Sequence, residues 1–80
     1  MIMLHVEFKG SYLDDGDFDE AVGKGNDCSY LCGGGLRALD YDFDDKASAE
    51  AAAARVKKLK SEFLRLTTSF CDEDGKVIRL

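Results

Sequence analysis

Three aspartates that alternate with aromatic residues are the side chains of this sequence best suited to chemistry. The segment runs Asp40-Tyr41-Asp42-Phe43-Asp44. Successive side chains of a strand face opposite sides of its sheet, so the three carboxylates share one face at intervals of about 7 Å. This interval is close to that of successive phosphates on a nucleic-acid strand. The row therefore predicts either a surface that binds a basic partner or a solvated face that keeps the protein soluble.

Further acidic residues lie in segment 14–20 and at position 45, and we expect them to extend this row. Residues 14–45 hold ten acidic residues against two basic ones, and the formal net charge of the 80-residue chain is -5. Residues 46–80 hold eight basic residues against five acidic ones, so the charge is polarised along the chain. An acidic half repels nucleic acid and attracts a basic partner. The predicted partner-binding residues are Asp14, Asp15, Asp17, Asp19, Glu20, Asp40, Asp42, Asp44 and Asp45.

The aspartate row belongs to a predicted strand that leads directly into a helix. Residues 36–43 alternate between apolar and polar side chains, whereas residues 46–60 carry apolar side chains at the three-and-four spacing of a helix. Asp44 or Asp45 is the predicted N-cap of this helix. Four consecutive alanines, Ala51–Ala54, favour the helix and let it lie close to a sheet.

Four further strands are predicted around this unit. Residues 1–9 alternate as a half-buried strand, and residues 28–32 form a short strand before a glycine reversal. Residues 62–72 and 76–80 form a closing hairpin, since Asp-Gly supplies its turn. On the first of these two strands the side chains expected to face the helix are Leu64, Leu66, Thr68 and Phe70.

The segment between the first two strands is rich in glycine and aspartate and predicts mostly loop. A short helical turn over residues 18–23 is indicated within it, with a capping box formed by Asp17 and Glu20. The elements together predict an α+β fold, a four- or five-stranded, mainly antiparallel sheet with one α-helix packed on one face.

Composition predicts a single folded domain, residues 1–80, in the cytoplasm. Apolar residues make up 45% of the chain, yet no apolar run approaches the length of about 18 residues that a membrane span needs. The three cysteines are an odd number, which favours a reducing compartment over a disulfide framework. We therefore expect neither membrane contact nor direct binding of nucleic acid.

No set of residues predicts catalysis. His5 is the only histidine, and its position on an alternating strand predicts an exposed side chain. Nothing in the spacing brings it to a serine or cysteine nucleophile. Gly33–Gly35 lack the lysine and hydroxyl that follow the glycines of a phosphate-binding loop. We expect no enzymatic activity, no catalytic residue and no cofactor.

The spacing of the acidic residues in segment 14–20 is also partly typical of a calcium-binding loop. Asp15, Asp17 and Asp19 alternate as calcium ligands do. A calcium-binding loop counted from Asp15 requires glycine and glutamate at the positions that Glu20 and Asn26 occupy. A solvated acidic loop is therefore the preferred interpretation.

A zinc site is an alternative that would stabilise so small a domain, with the ligands Cys28, Cys32, Cys71 and His5. The spacing of three residues between the first two cysteines is marginal, and free cysteine is also a common core residue. The sequence predicts no metal ligands and leaves a zinc-binding domain as an alternative. Another alternative is a homo-oligomer, such as a homodimer, whose open edge strands pair with each other.

The chain resembles the phage-encoded anti-CRISPR proteins, and DNA-mimic inhibitors in general, in its small size, its acidic charge and the pattern D-Y-D-F-D-D-K-A-S-A-E-A-A-A-A-R-V. The resemblance implies a non-enzymatic inhibitor in the bacterial host cell that binds a CRISPR effector complex or another basic nucleic-acid-binding protein. It also implies that carboxylates replace phosphates against lysine and arginine, and so block the binding of DNA or RNA. Lysines 57, 58 and 60 depart from a fully acidic mimic.

Overall fold

The computed structural model describes residues 1–79, which form a five-stranded antiparallel sheet with two helices on one face. In chain order the elements are β1 (Ile2–Lys9), a 3-10 turn (Tyr12–Asp14), α1 (Asp15–Val22), β2 (Cys28–Cys32), β3 (Leu36–Phe43), α2 (Lys46–Lys57), β4 (Leu64–Cys71) and β5 (Val77–Ile78). Residue 80, the last residue of a predicted strand, lies outside the described residues.

The strand order across the sheet is β2-β3-β1-β4-β5, so β1 lies at its centre. β1 pairs antiparallel with β3, where Ile2 lies opposite Phe43, and antiparallel with β4, where Met3 lies opposite Cys71. β3 and β4 therefore run in the same direction, and α2 connects them across β1. The order β-α-β-β-α-β is that of the split βαβ, or ferredoxin-like, arrangement, here extended by β5.

The predicted α+β class is confirmed, and the structure adds α1 to the one full helix that the sequence predicted. Phe18 and Val22 lie one turn apart on α1 and are both buried. The predicted capping box of Asp17 and Glu20 was wrong, because α1 begins at Asp15 and Asp17 lies inside it. The capping box that forms joins Ser11 and Asp14 at the preceding 3-10 turn. Gly23 ends α1 in the left-handed conformation with φ 92°, which glycine adopts without the steric penalty of a side chain.

The core lies between the helices and the covered face of the sheet. The rings of Phe8 and Phe18 are 4.3 Å apart, and Phe63 lies 4.7 Å from Phe18. Burying such a side chain contributes roughly 1.5–3 kcal/mol. From α2 the small side chains of Ala52 and Ala53 face this cluster, which brings the helix close to the sheet.

One face assignment on β4 was wrong. Leu66 is buried, as predicted, but Leu64 is 72% exposed. The pairing register with β1 shifts between Glu7 and Lys9, and Arg65 has φ 56° in this bulge. A bulge inserts an extra residue and turns the preceding side chain away from its expected face. Of the described helices, none is both long enough and apolar enough to cross a membrane.

Candidate functional site

The strand that carries the predicted carboxylate row, β3, lies between β2 and β1, and its middle residues are buried. Asp40 is only 7% exposed, so the expectation of a fully exposed row was wrong. It lies opposite His5 of the central strand, and the His5 ring nitrogen Nδ1 is 2.6 Å from Asp40 Oδ1. A carboxylate only accepts hydrogen bonds, so Nδ1 donates in this contact. Asp40 therefore serves an internal contact.

His5 is the centre of a polar cluster on the open face, which is the face of the sheet without helices. Its Nε2 lies 3.2 Å from Glu7 Oε2, so both ring nitrogens face carboxylates. Burial and the Asp40 charge raise the pKa of the neighbouring Tyr30 to about 12. The expected surface histidine is thus a partly buried one. A histidine that activates a nucleophile needs its second nitrogen for that nucleophile, whereas here Glu7 occupies it.

Three acidic residues of segment 14–20 also make internal contacts. Asp14 accepts the backbone N–H of Ser11. Asp15 accepts two hydrogen bonds from the Arg37 guanidinium, at 3.1 and 3.0 Å. These contacts fasten the start of α1 to the sheet, since Arg37 belongs to β3.

Asp19 also holds α1 to the sheet, further along the helix. The Tyr41 hydroxyl donates to Asp19 Oδ1 at 2.7 Å, and the Asn26 amide also donates to this carboxylate. Burial and the Asp19 charge raise the pKa of Tyr41. A carboxylate that is held by a buried tyrosine is unavailable to an external partner.

Asp17 and Glu20 are exposed and line an open groove of about 550 Å³ between α1 and the end of α2. Arg55 and Lys58 line the same groove. The Arg55 guanidinium donates to the backbone oxygens of Ala21 and Val22 at the end of α1. Basic groups on the opposite wall reduce the negative potential of these two acids.

The remaining predicted residues, Asp42, Asp44 and Asp45, lie at the end of the sheet where β3 stops and α2 begins. Met3 of β1 is flanked by Asp42 on β3 and by Cys71 on β4, so the acids after Cys71 reach the same end. A cavity of about 390 Å³ there is lined by Met1, Met3, Asp42, Asp72 and Glu73. We call this region the acidic end; it consists of Asp27, Asp42, Asp44, Asp45, Asp72, Glu73 and Asp74.

Several carboxylates of the acidic end form no ion pair. The N-terminal ammonium pairs with Glu73 at 2.9 Å, and Lys24 pairs with Asp27 at 3.4 Å. Within residues 1–79, five acids of this end form no ion pair: Asp42, Asp44, Asp45, Asp72 and Asp74. Asp72 accepts the backbone N–H groups of Asp74 and Lys76, and Asp45 accepts hydrogen bonds from Ser48. The carboxylates of Asp42, Asp44 and Asp74 therefore remain available to an external cation, although the Lys24 ammonium donates to the backbone oxygen of Asp42.

Hydrogen bonds hold two other acids of this end in their charged form. The backbone N–H of Asp42 donates to Asp27 and, with the Lys24 charge, lowers the pKa of Asp27. The Ser48 hydroxyl and N–H donate to Asp45 and lower its pKa. Asp45 is thereby the N-cap of α2, one of the two caps that the sequence predicted.

The sequence analysis placed Asp72 at the end of a strand and Glu73 and Asp74 in the turn that follows, and it missed their place at the acidic end. A signal was available in the order of elements. Two strands joined by a helical crossover run parallel, so the ends of β3 and β4 must lie on the same side of the sheet. This rule places Asp72 near Asp42 once the helix between them is recognised.

The structure does not assemble the alternative zinc site. Among the described residues no group of three histidine, cysteine or acidic side chains is placed to hold a metal ion. Cys28 and Cys32 lie four residues apart on β2, about 13 Å along a strand, and Cys71 lies on β4, three strands away. All three are free thiols.

No protein-family model matches the chain. Searches of the curated proteins and of the solved structures find no match either.

Proposed function

We propose that this protein is a non-enzymatic inhibitor that binds a basic, nucleic-acid-binding protein through its acidic end. Carboxylates of the acidic end take the place of phosphates and block the binding of DNA or RNA. The observation that carries this proposal is that Asp42, Asp44 and Asp74, at the end of β3 and in the β4–β5 turn, lie at the same end of the sheet without an ion pair among the described residues. Unpaired carboxylates form strong charge-assisted hydrogen bonds with lysine and arginine.

The other predicted acids already contact residues of this chain, so they are left out of the proposed surface. Asp15, Asp19 and Asp40 are committed to Arg37, Tyr41 and His5. Asp17 and Glu20 face basic residues across the groove. Asp14 accepts the Ser11 N–H and Asp45 caps α2, so Asp42 and Asp44 remain of the carboxylates predicted from the sequence, and Asp74 joins them.

A CRISPR effector complex is the partner class that we propose, on the resemblance of the chain to small acidic anti-CRISPR proteins. Such a complex holds nucleic acid in a positively charged channel. Contacts that replace phosphates weaken as salt rises, because salt screens the charges and competes for the basic groups.

Capture from bacterial lysate tests the proposal. The immobilised protein is expected to retain a nucleic-acid-binding complex at low salt and to release it at high salt or with added double-stranded DNA. A gel-shift assay then measures whether the protein prevents the captured complex from binding its target. Capture that is insensitive to both salt and DNA, or a complex that still binds its target at saturating inhibitor, contradicts the proposal.

A further inference from the structure

One lysine of the chain is held at the acidic end by three different groups. The Lys24 ammonium lies 3.4 Å from Asp27 Oδ2, and it donates a hydrogen bond to the backbone oxygen of Asp42. It also lies over the Phe43 ring, 5.0 Å from the ring centre. A carboxylate, a carbonyl oxygen and an aromatic face all attract an ammonium ion. We call these three groups, the Asp27 carboxylate, the Asp42 carbonyl and the Phe43 ring, the ammonium cage.

The ammonium cage forms where β3 continues past the end of β2. The last pair between the two strands is Cys28 with Asp40, so Asp42 has no strand partner on that side among the described residues. Its N–H donates instead to the Asp27 carboxylate at 2.7 Å, and the Asp27 N–H donates to the Asp40 carbonyl. All three groups of the cage are therefore positioned by β3, independently of Lys24.

Lys24 is attached less firmly than the cage that surrounds it. It lies between Gly23 and Gly25 in the connection from α1 to β2, and its hydrogen bond to Asp42 is exposed. The side chains of Lys24 and Asp27 are 38% and 44% exposed. An ion pair this exposed contributes little to stability, because water screens it and a long side chain loses freedom in forming it. Lys24 therefore leaves the cage at small cost, and water replaces it.

We propose that Lys24 is an internal competitor of the partner, filling a cage that otherwise takes a lysine side chain of the basic protein bound at the acidic end. This inference rests on the proposed function and deepens it, since it names the group of the partner and a contact that limits its binding. The cage is assigned to an ammonium because it already holds one. Since the competitor belongs to the same chain, it is present at every protein concentration.

The departure of Lys24 adds one carboxylate to those available at the acidic end. Within residues 1–79, Asp27 pairs with no cation other than Lys24. The hydrogen bond from the Asp42 N–H holds the pKa of Asp27 below its usual value, so Asp27 stays charged without the lysine. The emptied cage then lies beside the unpaired carboxylates of Asp42 and Asp44. A partner lysine is therefore bound more tightly once Lys24 is absent.

Calorimetric titration with hexalysine, acetylated and amidated at its ends, tests the competitor. Lys24→Gln removes the ammonium from the cage, and we expect it to bind the peptide about threefold more tightly than the unmodified protein does. Lys57→Gln makes the same change in net charge at the far end of α2, about 18 Å away. Salt of about 0.1 M screens charges beyond about 10 Å, so the affinity of this control should match that of the unmodified protein.

Two results would overturn the competitor. One is an unchanged affinity in Lys24→Gln. The other is an equal gain in Lys24→Gln and Lys57→Gln, because net charge alone would then explain it. Circular dichroism during heating confirms that each variant is folded.

The aromatic wall of the cage has its own test. Phe43→Leu, added to Lys24→Gln, removes the aromatic face and keeps an apolar side chain packed against the core. It is expected to lose more than about half of the gain in affinity. A gain that persists in full would overturn the cage as the place of competition.

A further variant separates this inference from the proposed function. Asp42→Asn/Asp44→Asn/Asp74→Asn is expected to bind hexalysine more weakly than the unmodified protein, since it lacks the unpaired carboxylates of the acidic end. An affinity equal to that of the unmodified protein would contradict the proposed surface. Weaker binding by this variant, together with no gain in Lys24→Gln, would overturn the competitor alone.

Discussion

Asp40 and His5 form a charge-assisted contact near the centre of the open face of the sheet. Their side chains are 10% and 20% exposed, so water screens the contact little. A buried carboxylate that loses its partner pays the cost of its lost hydration. The pair therefore matters to folding, and we keep Asp40 out of the proposed partner surface.

Replacing His5 with phenylalanine tests this role. His5→Phe keeps a ring of similar size but leaves Asp40 without its donor, so we expect a loss of about 2 kcal/mol in the free energy of unfolding. Adding Asp40→Leu removes the orphaned charge and should recover most of that loss. Urea unfolding measures both changes, and a double variant as unstable as the sum of the single variants would refute the role.

The sequence predicted the side of the sheet on which Asp40 lies but not its burial. The alternation of β3 is a property of one strand, and it correctly places Asp40 on the face of the sheet opposite to that of Leu39 and Tyr41. Burial of Asp40 depends on the strands beside it, and the pairing with His5 joins residues 35 positions apart. No pattern within a single strand contains this information. The sequence therefore predicted an exposed carboxylate where the structure has a buried one.

At the scale of elements, α2 illustrates a cap whose contribution depends on pH. Asp45 accepts the Ser48 N–H and hydroxyl at the first turn of the helix, and these bonds lower its pKa. A group with a lowered pKa in the folded state stabilises the protein above its unfolded pKa of about 3.9. That stabilisation is lost as the pH falls through the lowered value.

Asp45→Ala is therefore expected to lower Tm at neutral pH, and the difference from the unmodified protein should shrink as the pH falls below about 3.9 and through the lowered pKa of Asp45. Asp44→Ala is the matched control, since it removes the same charge one residue earlier without removing a cap. Circular dichroism during heating follows both variants. Equal shifts in the two variants, or a difference that grows in acid, would contradict the assigned cap.

Among the elements, those with a clear period were predicted well. β1, β3 and α2 have alternating or helical spacing that the chain keeps for eight to 12 residues. α1 was underestimated because its eight residues include Gly16 and four acids, which obscure the spacing of Phe18 and Val22. Its stability comes from tertiary contacts, among them the Arg37 and Arg55 hydrogen bonds. Propensity alone does not report such contacts.

At the scale of the whole molecule, α2 separates the acidic end from a group of three lysines. α2 begins at the acidic end and runs about 18 Å toward Lys57, Lys58 and Lys60. Asp44 and Asp45 thus lie beside the positive end of the helix dipole, and Lys57 lies near the negative end. Under the proposed function, a basic partner is attracted to the acidic end over a range set by the salt concentration.

Two variants that remove the same number of negative charges from different surfaces test which surface binds the partner. Asp42→Asn/Asp44→Asn/Asp74→Asn removes three negative charges from the acidic end. Asp17→Asn/Glu20→Gln/Glu62→Gln removes three negative charges from the groove between the helices. Within the described residues these six carboxylates accept no hydrogen bond, so both variants should fold like the unmodified protein.

Side-by-side capture from one bacterial lysate with these two variants and the unmodified protein is the most direct test. The unmodified protein and the groove variant are expected to retain the same nucleic-acid-binding complex at low salt, while the acidic-end variant loses it. Retention of that complex by the acidic-end variant at the level of the unmodified protein would contradict the proposed function.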